Sequence, residues 1–208
     1  MNLAPLFGLR LRTPSLELRV PDEVELEQLY EVAAGGIHPP EEMPFGVAWT
    51  DELTREGFLD YHRSQRTSWS PSSWKFDFGV WSDGVLVGVQ GLGAESFAES
   101  RVAGTGSWLG SRFQRRGIGT EMRTALLELA FGPLGAVAVT SEAFEANAAS
   151  RRVSEKLGYA IVGRNTLSPR GVPQPHLLLR LEREQWRGAP FPVEIDGAAA
   201  CLPLFGAS

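Results

Sequence analysis

The sequence predicts a mixed α/β fold, an α+β arrangement in which helices flank one mixed, mostly antiparallel sheet. Early in the chain, two apolar segments joined by Ser82-Asp83-Gly84 are typical of an antiparallel hairpin. Later, a helical repeat between two strand segments is typical of a crossover that joins parallel neighbours. The predicted elements follow the order β-α-α-β-β-β-α-β-α-β-β.

Capping and turn residues set the element boundaries in the first half of the chain. After a loose N-terminal arm, Ser15–Val20 alternates polar and apolar residues, as a half-buried strand does. Asp22 is a suitable N-cap for the next helix, and Gly35-Gly36 ends it. Three prolines then predict a loop, after which Asp51 starts a second helix. We therefore predict a strand at 15–20, helices at 22–34 and 51–66, and hairpin strands at 74–81 and 85–92.

The second half is predicted in the same way. Apolar residues recur at three- and four-residue spacing from Gly117 to Phe131, where Gly132-Pro133 ends the helix. Asn147 caps a further helix that Gly158 ends. We predict strands at 102–109, 137–141, 159–164 and 175–181, and helices at 117–131 and 147–157. Residues 1–187 are expected to form one domain, and the Ala-, Gly- and Pro-rich residues 188–208 a C-terminal appendage.

Composition and charge exclude several classes of function. The chain has 208 residues, of which 43% are hydrophobic and 22% charged, as in a soluble globular protein. A net charge of -5 argues against nucleic acid and anionic membranes as partners. One cysteine and three scattered histidines make a zinc site improbable, so no metal is expected. With no long apolar run and a single thiol, we expect a cytoplasmic protein.

The segment 107–120 carries the strongest functional signal. A strand ends, a turn follows, and a helix begins at Gly117 and Gly119. The first turn of a helix offers free N–H groups to phosphate oxygens, and glycine lets a phosphate approach the backbone. The nearby arginines add positive charge to an acidic protein; they are Arg112, Arg115 and Arg116. The segment therefore predicts a diphosphate site, with a glycine-rich turn carrying solvated arginines as the alternative.

Other phosphate-binding motifs fit this segment less well. A Walker loop requires a lysine after its last glycine, and the segment has none. The dinucleotide pattern Gly-x-Gly-x-x-Gly fails because Met122 stands where the last glycine belongs. A nucleotide-binding protein of another fold is therefore only a weak interpretation of this segment.

A second motif downstream gives a family resemblance. The run Asn147-Ala148-Ala149-Ser150, followed by Glu155-Lys156-Leu157-Gly158-Tyr159, accompanies Gln114-Arg115-Arg116-Gly117-Ile118-Gly119. Together they resemble the GNAT superfamily of acetyltransferases, and within it the RimJ/RimL-type N-acetyltransferases. The resemblance is strongest from Gly104 to Gly163 and extends loosely over Leu16–Trp186. It implies a sheet that splays apart at the acyl-CoA site.

The resemblance also implies roles for particular residues. The backbone groups of Ser107, Trp108 and Leu109 would pair with the pantetheine arm of acetyl-CoA as a neighbouring strand does. Asn147 would form a hydrogen bond with the same arm near the thioester. The pyrophosphate would be held by Gln114, Arg115, Arg116, Gly117, Ile118, Gly119 and Thr120. Many family members have a tyrosine at the position of Ser154, as the acid for the leaving thiolate. The proton donor here is therefore left open between Ser150 and Ser154.

The base that deprotonates the acceptor is chosen from loop carboxylates. Glu142 directly follows the strand predicted at 137–141 and is our first candidate; Glu95 and Glu145 are the alternatives. Candidate walls of an acceptor pocket are His38, Trp49, Trp69 and Trp74; the alternative, which we prefer, is that Trp74 belongs to the sheet core and His38 to the surface.

These expectations combine into one predicted function. The chain would move an acetyl group from acetyl-CoA to a primary amine, carried by a protein N-terminus, a lysine or a small molecule. The alternative is a non-catalytic acyl-CoA-binding module with a regulatory role. Neither interpretation requires a metal, and a homodimer is left open.

Overall fold

The computed structural model describes residues 1–207, which form one open sheet with helices on both faces. The strands of this range are β1 (Arg10–Arg12), β2 (Leu16–Arg19), β3 (Ser73–Ser82), β4 (Val85–Glu95), β5 (Val102–Leu109), β6 (Ala138–Phe144), β7 (Ala160–Leu167), β8 (Gln174–Glu182) and β9 (Glu194–Asp196). The helices are α1 (Glu23–Ala34), α2 (Arg55–Thr67), α3 (Phe97–Ser100), α4 (Ile118–Phe131), α5 (Ala148–Lys156) and α6 (Ala198–Phe205). Two 3₁₀ turns span Ala4–Gly8 and Ser111–Phe113.

The strand order in the sheet is β7-β8-β6-β5-β4-β3-β2-β1-β9. Among these strands, β5 and β6 form the one parallel pair, and α4 is the crossover between them. The remaining pairs are antiparallel. The predicted mixed, mostly antiparallel sheet flanked by helices is therefore confirmed.

Local sequence explains several element boundaries. The side chain of Asp22 accepts from the Glu25 backbone N–H, and the Glu25 side chain accepts from the Asp22 N–H, which makes a capping box at the start of α1. Helix α2 begins at Arg55, four residues later than expected, because the Thr54 hydroxyl caps it. The hairpin turn also forms as expected, with Asp83 and Gly84 at positive φ.

Two apolar clusters hold the helices against the sheet. One contains Phe76, Phe78 and Val80 of β3 together with the apolar residues of α4 and α6. The other contains Trp81 and Val89 with residues of α1 and α2 on the opposite face. Helix α4 is buried on almost every side from Met122 to Phe131. The sheet is thus covered on both faces, and its position relative to α4 is fixed by packing.

The sequence predicts a loose arm at the start of the chain and, after residue 188, a short strand near 191–195, a turn at Asp196-Gly197 and a tail; the structure has β9 at Glu194–Asp196 and a helix in place of the tail. The predicted loose arm is wrong, because Arg10–Arg12 forms β1 between β2 and β9. The segment after residue 188 supplies β9 and α6, and Cys201 and Phe205 of α6 are fully buried in the main core. The division of the chain at residue 188 stays a prediction, but β9 and α6 do pack on the same sheet and core as the rest.

Candidate acyl-CoA site

The sheet opens between its two parallel strands. The register pairs β5 with β6 only from Val102↔Ala138 to Thr105↔Ser141. Beyond that point β5 stays paired with β4 as far as Leu109, while β6 stays paired with β8 as far as Phe144. Residues 106–109 of β5 therefore have no strand partner on the β6 side. We call this gap between β5 and β6 the opening.

Backbone alternation shows which groups of β5 face the opening. The Gly110 N–H donates to the Val87 carbonyl at 3.0 Å, so these two residues form a hydrogen-bonded pair. In an antiparallel ladder, hydrogen-bonded and non-hydrogen-bonded pairs alternate along the strand. Leu109 and Ser107 are therefore non-hydrogen-bonded towards β4, so their backbone N–H groups and the Ser107 C=O point to the opening, whereas the Leu109 C=O accepts from the Gln114 side chain. An extended ligand chain could add to this edge as a strand does.

The turn before α4 presents a run of backbone amides without protein partners. Among residues 1–207, the N–H groups of positions 115–119 have no hydrogen-bond acceptor, whereas the Thr120 and Glu121 N–H groups bond the Gly117 carbonyl. Arg115 (φ 62°) and Gly117 (φ 87°) both adopt left-handed backbone conformations, which curve the chain. A Cβ on Gly117 would meet nothing within 4 Å, so the space above it is open. We call residues 115–119 the amide cradle.

Gln114 does not turn its side chain towards the cradle. Its Nε2 donates to the Ile37 carbonyl at 2.7 Å and to the Leu109 carbonyl at 2.9 Å. The Ser111 N–H also donates to the Gly36 carbonyl at 2.9 Å. The side chain of Gln114 therefore ties the cradle to the end of β5 and to the start of the loop after α1.

Three arginines add positive charge beside the cradle. Arg112, Arg115 and Arg116 are exposed, and none of them forms an ion pair within residues 1–207. The guanidinium carbon of Arg112 lies 4.6 Å from the centre of the Phe113 ring, and that of Arg116 lies 6.0 Å from it. Their charges are consequently available to an anion, in a chain whose net charge is -5.

The second motif lies on the other side of the opening, at the start of α5. The Asn147 side-chain oxygen accepts from the Ser150 N–H at 3.0 Å, so Asn147 is the N-cap of α5. Its amide nitrogen and the Ser150 hydroxyl have no partner among the described residues, and both side chains are half-buried. Ser154, one turn later, is fully buried. Ser150 is therefore the more accessible of the two predicted proton donors.

A buried arginine, which the sequence analysis did not select, joins three elements at the opening. Arg123 of α4 is 3% exposed. Its Nη1 donates to the Ser154 hydroxyl at 3.0 Å, and its Nη2 donates to the Ser107 hydroxyl at 3.2 Å. Burial lowers the pKa of Arg123, yet a guanidinium stays charged in proteins. The sequence signal for it was weak, because Arg123 is one of three charged residues of α4, with Glu121 and Glu128.

The predicted base lies in a strand rather than after one. Strand β6 continues to Phe144, because β8 supplies a hydrogen-bonding partner as far as His176. Glu142 therefore pairs with Leu178 inside the strand, and its side chain is 63% exposed, with Oε2 at 3.9 Å from His176 Nε2. Of the alternatives, Glu95 accepts from the Ser73 hydroxyl at 2.7 Å. Glu145 is exposed beside α5.

On the α1/α2 face, the floor next to the opening lacks side chains. Asp77 of β3, Gly91 of β4 and Gly106 of β5 lie side by side in the register. A Cβ on Gly91 would come within 2.5 Å of Asp77 Oδ1, whereas a Cβ on Gly106 would meet nothing within 4 Å. Gly106 therefore leaves room above β5 for a substrate, whereas the space above Gly91 is taken by the Asp77 carboxylate, which borders that room.

Aromatic side chains border this floor. Trp49 lies 6.1 Å and Phe58 6.4 Å from Trp108, measured between ring centres. Trp69 does not line the same pocket, contrary to the possibility raised from the sequence, and Trp74 lies in the sheet core, as the preferred alternative has it. Both rings belong to the core on the opposite face, where their indole N–H groups donate to carbonyls of α6.

The family follows from comparison with known proteins. The family model described as "Acetyltransferase (GNAT) domain" matches residues 15–160, more than half of the chain. This chain belongs to the GNAT acetyltransferase family. It is accordingly an acetyl-CoA-dependent N-acetyltransferase.

Solved structures share the GNAT fold with this chain. Mycobacterium smegmatis RimJ in complex with CoA-disulfide is 18% identical, with a TM-score of 0.68, covering 96% of this chain and 95% of that one. RimL, the ribosomal L7/L12 alpha-N-protein acetyltransferase in complex with coenzyme A, is 16% identical, with a TM-score of 0.67 and coverage of 82% and 95%. A GNAT-family acetyltransferase from Bacillus anthracis is 16% identical, with a TM-score of 0.66 and coverage of 84% and 99%.

The residues present fit the acetyl-CoA that GNAT enzymes use. The cradle offers unpaired amides and nearby arginines to phosphate, and the edge of β5 offers backbone groups to an extended amide-bearing arm. Within residues 1–207, no three metal-ligating side chains gather into a site. No helix in the same range has the length and apolar character needed to cross a membrane.

Proposed function

We propose that this GNAT enzyme acetylates a primary amine, and that the opening between β5 and β6 is where acetyl-CoA and amine meet. One observation carries the proposal: the unpaired amides of residues 115–119 lie directly after a strand edge that has itself lost its partner. A diphosphate in the cradle would place the attached arm along Ser107 and Leu109. Bound acetyl-CoA supplies an acetyl thioester, the acyl donor.

The backbone supplies the electrostatic part of the reaction. The Leu109 N–H points to the opening and is our candidate donor to the carbonyl oxygen as it gains negative charge. Holding donor and acceptor together in the right geometry contributes much of the remaining rate. Ser150 is the proposed acid for the leaving sulfur, since its hydroxyl is accessible and has no partner among the described residues.

The acceptor must lose a proton before it attacks, because an alkylammonium titrates near ~10.4. We propose Glu142 as the group that takes this proton, through water. Its side chain is largely exposed on β6, across the opening from residues 106–109 of β5. Exposure of the carboxylate favours transfer through solvent over direct contact with the amine.

The acceptor proposed first is the α-amino group of a protein. The solved structures that share this fold include an enzyme named for the alpha-N acetylation of ribosomal L7/L12. The floor at Gly106 leaves room for a backbone segment beside Trp108. Lysine side chains and small amines are the other classes to compare.

Two measurements test the proposal. Calorimetric titration with coenzyme A should show one saturable site, and ATP should compete poorly. Turnover is then followed by release of the CoA thiol to a chromogenic reagent, with peptides bearing a free N-terminus, N-acetylated peptides bearing a lysine, and small diamines. Cys201 adds little background, because burial raises the pKa of its thiol to about 11.

The outcomes separate the candidate functions. Saturable binding with thiol release on one acceptor class supports the enzyme and identifies that class. Binding without release on any acceptor favours a regulatory acyl-CoA-binding module. No binding of coenzyme A, with tight binding of ATP, would instead indicate a nucleotide-binding protein and overturn the proposal.

A further inference from the structure

The guanidinium of Arg123 lies at the base of the opening with no carboxylate to balance it. None of the Asp and Glu side chains among residues 1–207 forms an ion pair with Arg123, whose partners are the hydroxyls of Ser107 and Ser154. Its Nε is buried without any acceptor. The nearby phenol of Tyr159 is also buried without a partner, and burial raises its pKa to about 12, so it is neutral.

A buried unpaired charge is unfavourable to folding. Desolvating an ion costs several kcal/mol even after relaxation, and a good ion pair offsets only part of that. Nothing in the core requires a cation here, since the other buried positions of α4 are apolar except Thr124, whose hydroxyl donates to the Thr120 carbonyl. The position is favourable, however, if a negative charge develops nearby during the reaction.

Ser107 provides the path from the guanidinium to the opening. Ser107 lies on the part of β5 that has no partner on the β6 side, and it is half-buried, whereas Ser154 is wholly inside. Because the Ser107 oxygen accepts from Arg123, its own proton is left for another acceptor. The Ser154 oxygen, on α5, accepts from the other terminal nitrogen of the guanidinium, Nη1, and so fixes its orientation.

We propose that Arg123 is a positioning residue that polarises the Ser107 hydroxyl towards the leaving thiolate of coenzyme A. As the amine nitrogen bonds to the acetyl carbon, the C–S bond breaks and its electron pair stays on sulfur. The Ser107 O–H donates a hydrogen bond to that sulfur and keeps its own proton, the guanidinium behind it stabilises the negative charge, and the Ser150 hydroxyl then supplies the proton to the thiolate. The amine proton leaves separately, to the base and water. This inference rests on the proposed function of the same opening.

The test compares Arg123→Met with Arg123→Lys, Ser107→Ala and the wild-type chain. Arg187→Met is the matched control, because Arg187 is exposed and lies after β8, at the end of the sheet away from the opening. Methionine fills a similar volume without charge, and replacing a buried charge by an apolar residue is often neutral or stabilising. Unfolding curves for each variant establish that it folds.

The decisive measurement is the pKa of the CoA thiol when bound, followed through the ultraviolet absorbance of the thiolate against ligand-free protein. A free thiol titrates near ~8.5. We expect the bound thiol to titrate about one unit lower in the wild-type chain and in Arg187→Met than in Arg123→Met. The turnover number should fall roughly 100-fold in Arg123→Met, as for loss of one preorganised donor, and less in Arg123→Lys.

The result separates this inference from the function on which it rests. If coenzyme A fails to bind the wild-type chain, the proposed function fails. If it binds and the thiol titrates equally in the wild-type chain, Arg123→Met and Ser107→Ala, then Arg123 only joins α4, α5 and β5, and the inference is overturned. If Arg123→Met does not fold, the pKa of the bound thiol is compared between the wild-type chain and Ser107→Ala, which keeps the arginine. An equal pKa in these two proteins overturns the inference.

Discussion

Gln114 donates its side-chain amide to the carbonyl of Leu109, the last residue of β5, at 2.9 Å. The same nitrogen donates to the Ile37 carbonyl at 2.7 Å, 77 positions earlier in the chain. The glutamine thus sets where the cradle stands relative to both the strand edge and the loop after α1. The family resemblance assigns Gln114 to the pyrophosphate. Its side chain instead holds the cradle in place against β5 and the loop after α1.

Gln114→Ala should weaken both folding and donor binding. Two carbonyls would lose a neutral hydrogen bond each, so the free energy of unfolding should fall by about 1–3 kcal/mol. Affinity for coenzyme A should fall as the cradle loses its fixed position. Chemical denaturation and calorimetry measure the two effects. Gln28→Ala is the control, because Gln28 is exposed on α1 and its side chain makes no hydrogen bond within residues 1–207; equal effects in both variants would contradict the supporting role.

Side chains of different size at position 119 test whether the cradle binds the diphosphate. A Cβ there would lie 3.8 Å from Val153 and 4.0 Å from Leu109, which is ordinary contact, so Gly119→Ala should fold normally. It should bind coenzyme A within ~10-fold of wild type, a difference of about 1.4 kcal/mol. An indole at the same position would project between the start of α4 and the end of β5. Gly119→Trp should therefore show no saturable heat in the titration, and retained affinity would exclude the cradle as the diphosphate site.

Ser150→Ala should separate catalysis from binding. The backbone N–H of residue 150, which Asn147 caps, is unchanged by the substitution, so α5 should keep its start. If the hydroxyl protonates the leaving sulfur, the turnover number should fall ~100-fold or more while affinity for coenzyme A is unchanged. Steady-state kinetics with calorimetry measures both, and an unchanged turnover number would remove Ser150 from the mechanism.

Much of the fold could be predicted because its signals are local. The capping box at Asp22, the turn at Asp83-Gly84 and the limits of β5 at 102–109 depend on neighbouring residues. Strand β1 could not be predicted in this way, since three residues become a strand only through β2 and β9. Helix α6 contains Pro203, which reads as a breaker, and it is stabilised by side chains more than 100 positions away.

The same distinction explains the site. The cradle is a property of one short turn, so Gly117 and Gly119 predict free amides there without reference to any distant contact. Arg123 was missed because its partners Ser107 and Ser154 lie 16 and 31 positions away on different elements. The direction of the Gln114 side chain depends likewise on the distant Ile37 carbonyl. The residues that support the site are thus set by packing, which sequence periodicity does not encode.

Stability should depend on pH through His62. Burial lowers the pKa of His62 below its ordinary value, opposed by Asp77 and assisted by the positive charges of Arg66 and Lys75. In the unfolded chain a histidine titrates near ~6.5, so below that pH the unfolded state binds a proton that the folded state resists. The contribution of His62 is therefore complete above about pH 6.5 and is lost as the pH falls from there towards the lower pKa of the folded state.

Denaturation curves measured between about pH 5 and 8 check this dependence. His62→Gln should have a flatter profile than wild type in that range, because it removes the titrating group and keeps a donor near Asp77. Carboxylates such as Glu25, whose pKa is lowered by Arg19, contribute in a more acidic range and remain in both proteins. Identical slopes in the two proteins would show that His62 is not held neutral by burial.

Phe205 of α6 should be among the most sensitive core positions. Its ring is fully buried, with ring centres at 4.8 Å from Trp74, 5.5 Å from Phe76 and 5.7 Å from Trp69. The Phe205 carbonyl also accepts from the Trp74 indole N–H at 3.1 Å. Removing a buried aromatic ring typically costs 3–5 kcal/mol, so Phe205→Ala should lower the free energy of unfolding by about that much.

Cys201 reports whether that loss is local to α6. Its thiol is buried in the native chain, so a thiol reagent should label it slowly in wild type and much faster in Phe205→Ala. Leu202→Ala is the control, because Leu202 is only half-buried and its truncation removes less packing. Equal stability and equal labelling in both variants would mean that α6 is not part of the core; the expected difference would make the C-terminal residues necessary to the fold that holds the acyl-CoA site.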